Sequence, residues 1–314
     1  MVSLNQEGII NLLKPAGMTS HDGVYFLRKL TGIKRIGHTG TLDPMAVGVL
    51  PLCIGNATRI IDYLDTDDKE YRCEMILGVE TDTWDIWGNV LNDKRNQIIE
   101  IKEKTIEEAL QSFQGEIYQL PPLHSAVRIK GKHLYEYARK GEVIDVKPKP
   151  VIIKNLKMIA FNQENKRITF DITCSKGTYI RSICHELGTK LECGGTMSFL
   201  LRKTSGVFQI ENTVSMEQLA EDWKKYLLSI DFPLAHLGKL EISANRLNWF
   251  KNGGYLRLNE VKIISEPLIN ISKHIKTREG LERAFNVYCQ GQFLGVMLYN
   301  KEKKQFIADK VFCR

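Results

Sequence analysis

The stretch Val151-Ile-Ile-Lys-Asn-Leu-Lys-Met-Ile-Ala-Phe161, Asn162-Gln-Glu-Asn165, Arg167-Ile-Thr-Phe-Asp-Ile-Thr-Cys174 and Lys176-Gly-Thr-Tyr-Ile-Arg181 reads as strand, turn, strand and helix entry. Apolar and polar residues alternate from Arg167 to Cys174, the period of a half-buried strand. Ile180, Ile183, Cys184, Leu187 and Leu191 then recur at the 3.6 spacing of an amphipathic helix. A hairpin followed by a helix predicts an α+β fold: a mixed, largely antiparallel sheet with flanking helices, not a doubly wound parallel sheet.

Working outward from it, Tyr71 to Val79 reads as a core strand and Thr105-Ile-Glu-Glu108 as a capping box opening a helix with Ile106, Ala109, Leu110 and Phe113 on one face. Gly8 to Leu13 is a short apolar strand, Lys14-Pro-Ala-Gly17 a turn, and Thr19 or Ser20 the cap of a helix that Gly32 ends. Gly37 to Gly55 has no helical period and leads into the apolar strand Val49 to Ile54. Ser215-Met-Glu-Gln218 is a second capping box, with its helix running to about Leu228. Beyond Leu237, Gly253-Gly254, Gly280, Gly291 and Gly295 break the chain into short segments. The expected division is a domain over 1–237 and a small β-rich C-terminal domain over 238–314.

The chain's 314 residues, 43% hydrophobic, are enough for two cores. Its seven cysteines include no C-x-x-C pair, and an odd number argues against a disulfide framework, which fits the reducing cytoplasm. The N-terminus has no basic leader, and the nearly uncharged run from Pro44 to Thr58 is interrupted by Gly48, Pro51 and Gly55, so no membrane association is expected. The net charge of +7 is segregated: Ser125–Lys154 holds eight Lys/Arg against three acids, and Leu240–Arg314 thirteen against seven. Such segregation suits a phosphate-backbone partner, although solvated surfaces look the same.

Neither Gly37-His-Thr-Gly-Thr nor Gly55-Asn-Ala-Thr continues into a phosphate-loop Gly-Lys-Ser/Thr, and no G-x-G-x-x-G follows a strand. The histidines are not spaced with the cysteines as metal ligands, and His38 with Asp43 is too small a set. The expectation is therefore no cofactor and no metal. Asp43 stands before Pro44, which favours an extended backbone and a projecting carboxylate. Taken alone, it would be an ordinary turn residue.

Gly37-His-Thr-Gly-Thr-Leu-Asp-Pro-x-Ala-x-Gly-Val-Leu-Pro51, Lys14-Pro-x-Gly-x-Thr-Ser20, Lys69-Glu-Tyr71 and Lys176-Gly-Thr-Tyr-Ile-Arg-Ser182 together resemble the bacterial tRNA pseudouridine synthase B family, in order and spacing, across residues 8–235. The segment after them resembles the family only loosely, and Arg59 stands where many members have Lys. The resemblance implies the pseudouridine synthase fold and conversion of uridine 55 in the tRNA T loop to pseudouridine. Asp43 would be the catalytic carboxylate, attacking the sugar, adding to the base or promoting a glycal. Arg181 would hold that carboxylate with its guanidinium fork. Tyr71 would stack on the flipped uracil, and Tyr179 would assist C5 proton removal.

On the substrate-binding side the resemblance places His38 in the space vacated in the T loop, Lys14 and Pro15 as loop residues bracing the site, and Leu200 as an apolar wall. It places Arg128, Lys130 and Lys132 in a basic insertion near 125–152 that clamps the RNA. Its C-terminal counterpart is a small RNA-binding domain. The implied enzyme is a cofactor-free monomer without an obligate protein partner. One alternative is a tRNA-binding or tRNA-folding protein without catalysis, which would not require Asp43, Tyr71, Tyr179 and Arg181 together. Another is a related synthase acting on ribosomal or guide-bound RNA.

Overall fold

The computed structural model describes residues 6–64, 68–97, 100–142, 144–268 and 281–313. Gly280 and the basic residues Lys273, Lys276, Arg278 and Arg314 lie outside them. The larger sheet has nine strands, seven of them in the order Gly8–Lys14, Val47–Ile54, Gly195–Ser205, Lys69–Leu77, Arg167–Cys174, Lys149–Asn162 and Gly115–Gln119. Ile36–His38 and Phe208–Gln209 pair at its side. Only Val47–Ile54 beside Gly195–Ser205 is parallel, so the sheet is mixed and largely antiparallel, as its hairpin predicts.

In the hairpin Asn162 faces Arg167, and Ile168, Phe170, Ile172 and Cys174 turn inward. They meet Ile180, Ile183, Cys184 and Leu187 of the helix Ile180–Lys190, burying the apolar face each element presents. That helix lies against the sheet at Gly188, where a Cβ would stand 2.1 Å from the Gly195 nitrogen.

Two helix boundaries depart from the sequence reading. The helix expected to be capped by Thr105 begins earlier and spans Glu103–Gln111, with Lys102 as a cap that makes no side-chain bond. The Glu108 carboxylate turns to Lys104 at 3.8 Å instead of back to Thr105, and Glu103 supplies first-turn negative charge in place of a cap. The Ser215 capping box is present, but its α-helix stops at Asp222. There the Asp222 carboxylate accepts from the Lys224 N–H at 3.1 Å, and a 3-10 turn over Trp223–Tyr226 follows.

From Gly238 onward the chain builds a second, six-stranded sheet in the order Tyr255–Arg257, Gln305–Val311, Gln292–Asn300, Leu281–Cys289, Gly238–Ile242 and Val261–Ser265. Gln290 and Gly291, both at positive φ, make the tight turn between its two longest strands. The sheet docks on the 3-10 helix Gly55–Leu64. Arg59 Nη1 donates to the Val311 carbonyl at 2.8 Å with its guanidinium over Phe312, and the Tyr63 hydroxyl donates to Asp309 at 2.6 Å. Ile9, Val49 and Ile60 share one apolar cluster with Ala284, Val296 and Leu298.

The parallel pairing within the larger sheet passes through Gly48, whose φ is +115° and whose added Cβ would lie 2.3 Å from the Arg202 carbonyl. Gly48→Ala combines a disfavoured backbone region with a backbone overlap, so it should cost about 3 kcal/mol or more. Urea unfolding tests this: a midpoint within error of the unsubstituted chain would contradict it.

Candidate active site

Residues 39–46, between Ile36–His38 and Val47–Ile54, form no regular element, so their backbone groups need partners outside a helix or sheet ladder. Ser20, buried at the start of the helix Ser20–Thr31, accepts from the Leu42 N–H at 2.8 Å and donates to the Leu42 carbonyl at 3.0 Å. The Pro44 carbonyl accepts from the Gly17 N–H at 2.9 Å and from Lys14 Nζ at 3.3 Å. Lys14 Nζ also donates to the carbonyls of Pro15 and Met18, each at 2.7 Å. On the other side Arg202 donates to Gly40, Thr41 and Val49 carbonyls.

Asp43 projects from this pinned loop with 30% of its side chain exposed, and its Oδ2 accepts from Arg181 Nε at 2.9 Å. The guanidinium is buried but does not grip the carboxylate with both arms, as the fork argument implies. Nη1 donates to the Thr83 carbonyl and Nη2 to the His124 carbonyl, both at 3.0 Å, so each arm is taken by a different chain segment. A second acid, Asp85, stands 3.7 Å from Nη1. It is oriented by the Thr83 hydroxyl at 2.9 Å and the Trp87 N–H at 3.0 Å.

Tyr179 caps the helix that carries Arg181. The buried Gln119 amide fixes its backbone from both sides, accepting from its N–H at 2.7 Å and donating to its carbonyl at 3.0 Å. Burial pushes the Tyr179 phenol above its ordinary value, and the Asp43 charge acts in the same direction. Tyr71, in Lys69–Leu77, is pushed up likewise by burial.

Asp43, Tyr71, Tyr179, Leu200, Lys69 and Arg202 line one cleft of about 530 Å³. Three of the four expected catalytic residues therefore open on one space, and the fourth, Arg181, holds Asp43 from behind. Among the expected binding residues, Leu200 lies in the cleft wall. Lys14 is wholly buried with its ammonium on three carbonyls, so it braces the loop and has no free reach to a ligand, while Pro15 beside it is exposed. His38 is half-buried in its short strand, with its ring below its ordinary pKa through burial.

The basic insertion forms a small hairpin, Arg128–Ile129 with Lys132–His133, and the helix Leu134–Arg139. The heads of Arg128, Lys130, Lys132 and Arg139 face solvent. Lys130 and Gly131 both have positive φ, the turn geometry that presents Lys130 at the tip.

Sequence reasoning missed Asp85, Ser20, Arg202 and Gln119. Ser20 stood inside a quoted motif, where it was read only as a possible helix cap, and Arg202 lies two residues after Leu200 without a reading of its own. Nothing in the order of residues pointed to Asp85 or Gln119. Among the described residues no cluster of three or more His, Cys, Asp or Glu side chains is placed to hold a metal ion, and no helix is long and apolar enough to cross a membrane.

Residues 28–180 match the family described as TruB family pseudouridylate synthase (N terminal domain), and residues 181–232 match the tRNA pseudouridylate synthase B C-terminal domain. A relative from Clostridioides difficile, named tRNA pseudouridine synthase B, is 42% identical over 97% of this chain and 99% of its own length. Another of that name from Alkaliphilus oremlandii is 44% identical over 83% of this chain and 87% of its own. Among solved structures, an H/ACA ribonucleoprotein bound to a substrate RNA containing 2'-deoxyuridine includes a chain similar in fold, with TM-score 0.72 at 22% identity over 99% of this chain and 86% of that one. A Cbf5-Nop10-Gar1 complex gives 0.71 at 24%, over 98% and 85%. The fold is that of a pseudouridylate synthase. The chain belongs to the TruB family.

Burial lowers the Lys14 ammonium from 10.5 to about 8. Between those values the unfolded chain holds a proton that the folded chain has released, so stability at this site rises with pH from about 8 towards 10.5. The unfolding free energy of the unsubstituted chain minus that of Lys14→Met should therefore increase across this window. A difference independent of pH would mean that folding leaves the ammonium unperturbed.

Proposed function

We propose that this chain converts uridine 55 in the T loop of tRNA to pseudouridine, with Asp43 as the essential carboxylate. The observation that carries the reading is the Asp43–Arg181 contact at 2.9 Å, in the cleft that Tyr71 and Tyr179 also line. The names of the relatives supply tRNA as the substrate class. The reaction breaks the bond between N1 and the sugar, turns the bound uracil and joins C5 to the same sugar carbon. It gains and loses no atoms, so it asks for a carboxylate near C1′ and for shielding from water.

Asp43 either attacks C1′, adds to the base or takes the 2′ proton. Arg181 holds it in place through a charge-assisted bond. Tyr71 stacks on the flipped base, Leu200 closes the apolar side, and Tyr179 assists departure of the C5 proton. His38 fills the gap left in the T loop, and Lys14 and Pro15 brace the catalytic loop. Arg128, Lys130 and Lys132 grip the RNA backbone and help offset the few kcal/mol that flipping costs. Residues 1–237 form the catalytic domain in this reading and 238–314 an RNA-binding one, in a cytoplasmic enzyme that works as a monomer without a protein partner.

Incubating unmodified tRNA transcript with the full chain and scoring T-loop pseudouridine tests the reading. Asp43→Asn should lower product formation by about 10³-fold or more while tRNA affinity stays within about tenfold. Pseudouridine at the ordinary rate from that variant would remove Asp43 from the mechanism. Neutralising Lys130, Lys132 and Arg139 together should weaken tRNA binding and reduce its log–log salt slope by about 2. An unchanged slope would place the RNA elsewhere on the surface.

A further inference from the structure

One wall of the cleft carries a charge that no acid matches. Arg202 is 1% exposed and lines the same cleft as Asp43. Its Nε donates to the Val49 carbonyl at 2.7 Å, Nη1 to Thr41 at 3.1 Å and Nη2 to Gly40 at 3.2 Å. All three acceptors are neutral, and among the described residues no carboxylate forms an ion pair with it. Arg181, as deeply buried, has Asp43 at 2.9 Å and Asp85 at 3.7 Å.

Burying a cation against dipoles alone is costly, and a loop staple could be built from neutral donors. An uncompensated charge in a reaction cleft has a use if negative charge develops there during the reaction. Arg202 is the strand-register partner of Tyr71, so their side chains emerge side by side on neighbouring strands. That register sets the guanidinium beside the aromatic ring on which the base would stack, where its charge opposes the upward push that burial gives the Tyr71 phenol.

Resting on the reading of this cleft as a uridine site, we propose that Arg202 stabilises the negative charge that the uracil ring carries between the breaking of its bond to the sugar and the forming of the new one. The C1′–N1 bond breaks with its electron pair left on the ring. The electron-deficient sugar is met by Asp43, as an ester or through transfer of the 2′ proton to the carboxylate. Ring electrons then form the C5–C1′ bond, the C5 proton leaves to a base, N1 gains a proton, and Asp43 is restored. No outside oxidant, reductant or co-reactant enters.

A leaving group that carries negative charge more easily needs Arg202 less, and fluorine at C5 makes the uracil ring such a group. The full chain is tested in single turnover on tRNA carrying either uridine or 5-fluorouridine at the target position. Consumption of the N1-linked nucleoside is the readout, because fluorine blocks the final C5 proton loss. Arg202→Gln should slow uridine consumption about 100-fold and 5-fluorouridine consumption less than about tenfold, with tRNA affinity within about threefold. Arg202→Lys, which keeps charge without the three-way grip, should recover much of the uridine rate.

Equal slowing of both substrates, or a Lys variant no better than Gln, would overturn the proposal and leave Arg202 as a loop staple. If Arg202→Gln fails to fold in a thermal melt, Arg202→Lys decides alone: a smaller loss on 5-fluorouridine than on uridine supports the proposal, and equal losses overturn it. If the unsubstituted chain consumes neither nucleoside, the uridine reading itself fails and the role of Arg202 falls with it.

Discussion

The contact between Asp43 Oδ2 and Arg181 Nε joins residues 138 positions apart, and the site's geometry depends on it. One partner sits in an irregular loop, the other in the first turn of a helix packed on the sheet. A buried guanidinium left without partners would cost several kcal/mol, so the fold must bring acceptors to it. It brings them from three segments, at Asp43, Thr83 and His124. The same requirement that satisfies one arginine therefore fixes where the Asp43 loop, the Thr81–Asp85 turn and the start of the basic insertion meet.

The loop around Asp43 shows how an irregular segment can be rigid. Gly40 and Thr41 are held by Arg202, Leu42 by Ser20, and Pro44 by Gly17 and Lys14. The Asp43 carbonyl accepts from the Ala46 N–H at 3.1 Å. Both immediate neighbours of Asp43 are pinned through their backbone, and its side chain faces the cleft. A carboxylate held this way pays little reorganisation when it acts. The glycines follow from the same packing: at Gly48 the chain passes so close to the Arg202 carbonyl that a methyl group has no room.

Features carried by local chemistry were legible in the residues alone. The alternation of Arg167–Cys174, the 3.6 spacing after Tyr179 and the left-handed Gly32 stop each report a local preference, and each element is present. Asp43 came from the family resemblance, because an Asp before Pro in this Gly- and Thr-rich loop reads by itself as an ordinary turn residue. Long-range satisfaction was not legible. Asp85 and Gln119 have no periodic or motif signal, because their roles arise only when distant segments are folded against Arg181 and Tyr179. The Arg181–Asp43 pairing that the resemblance implies is present through Nε alone, and the other donors answer to carbonyls that sequence spacing does not reveal.

The basic insertion joins the site through the same hydrogen-bond logic. His124 gives its carbonyl to Arg181, and the adjacent Ser125 gives its own to the Tyr135 N–H at 3.2 Å, within the helix Leu134–Arg139. Val127 accepts from Leu134 at 2.8 Å, and Leu134 and Tyr137 are buried beneath the hairpin. The cationic heads stay in solvent, with Lys132 over the Tyr137 ring and Arg139 over Tyr135. The backbone bonds of residues 124–127 thus lead from the Arg181 guanidinium to the hairpin and helix that present these cations.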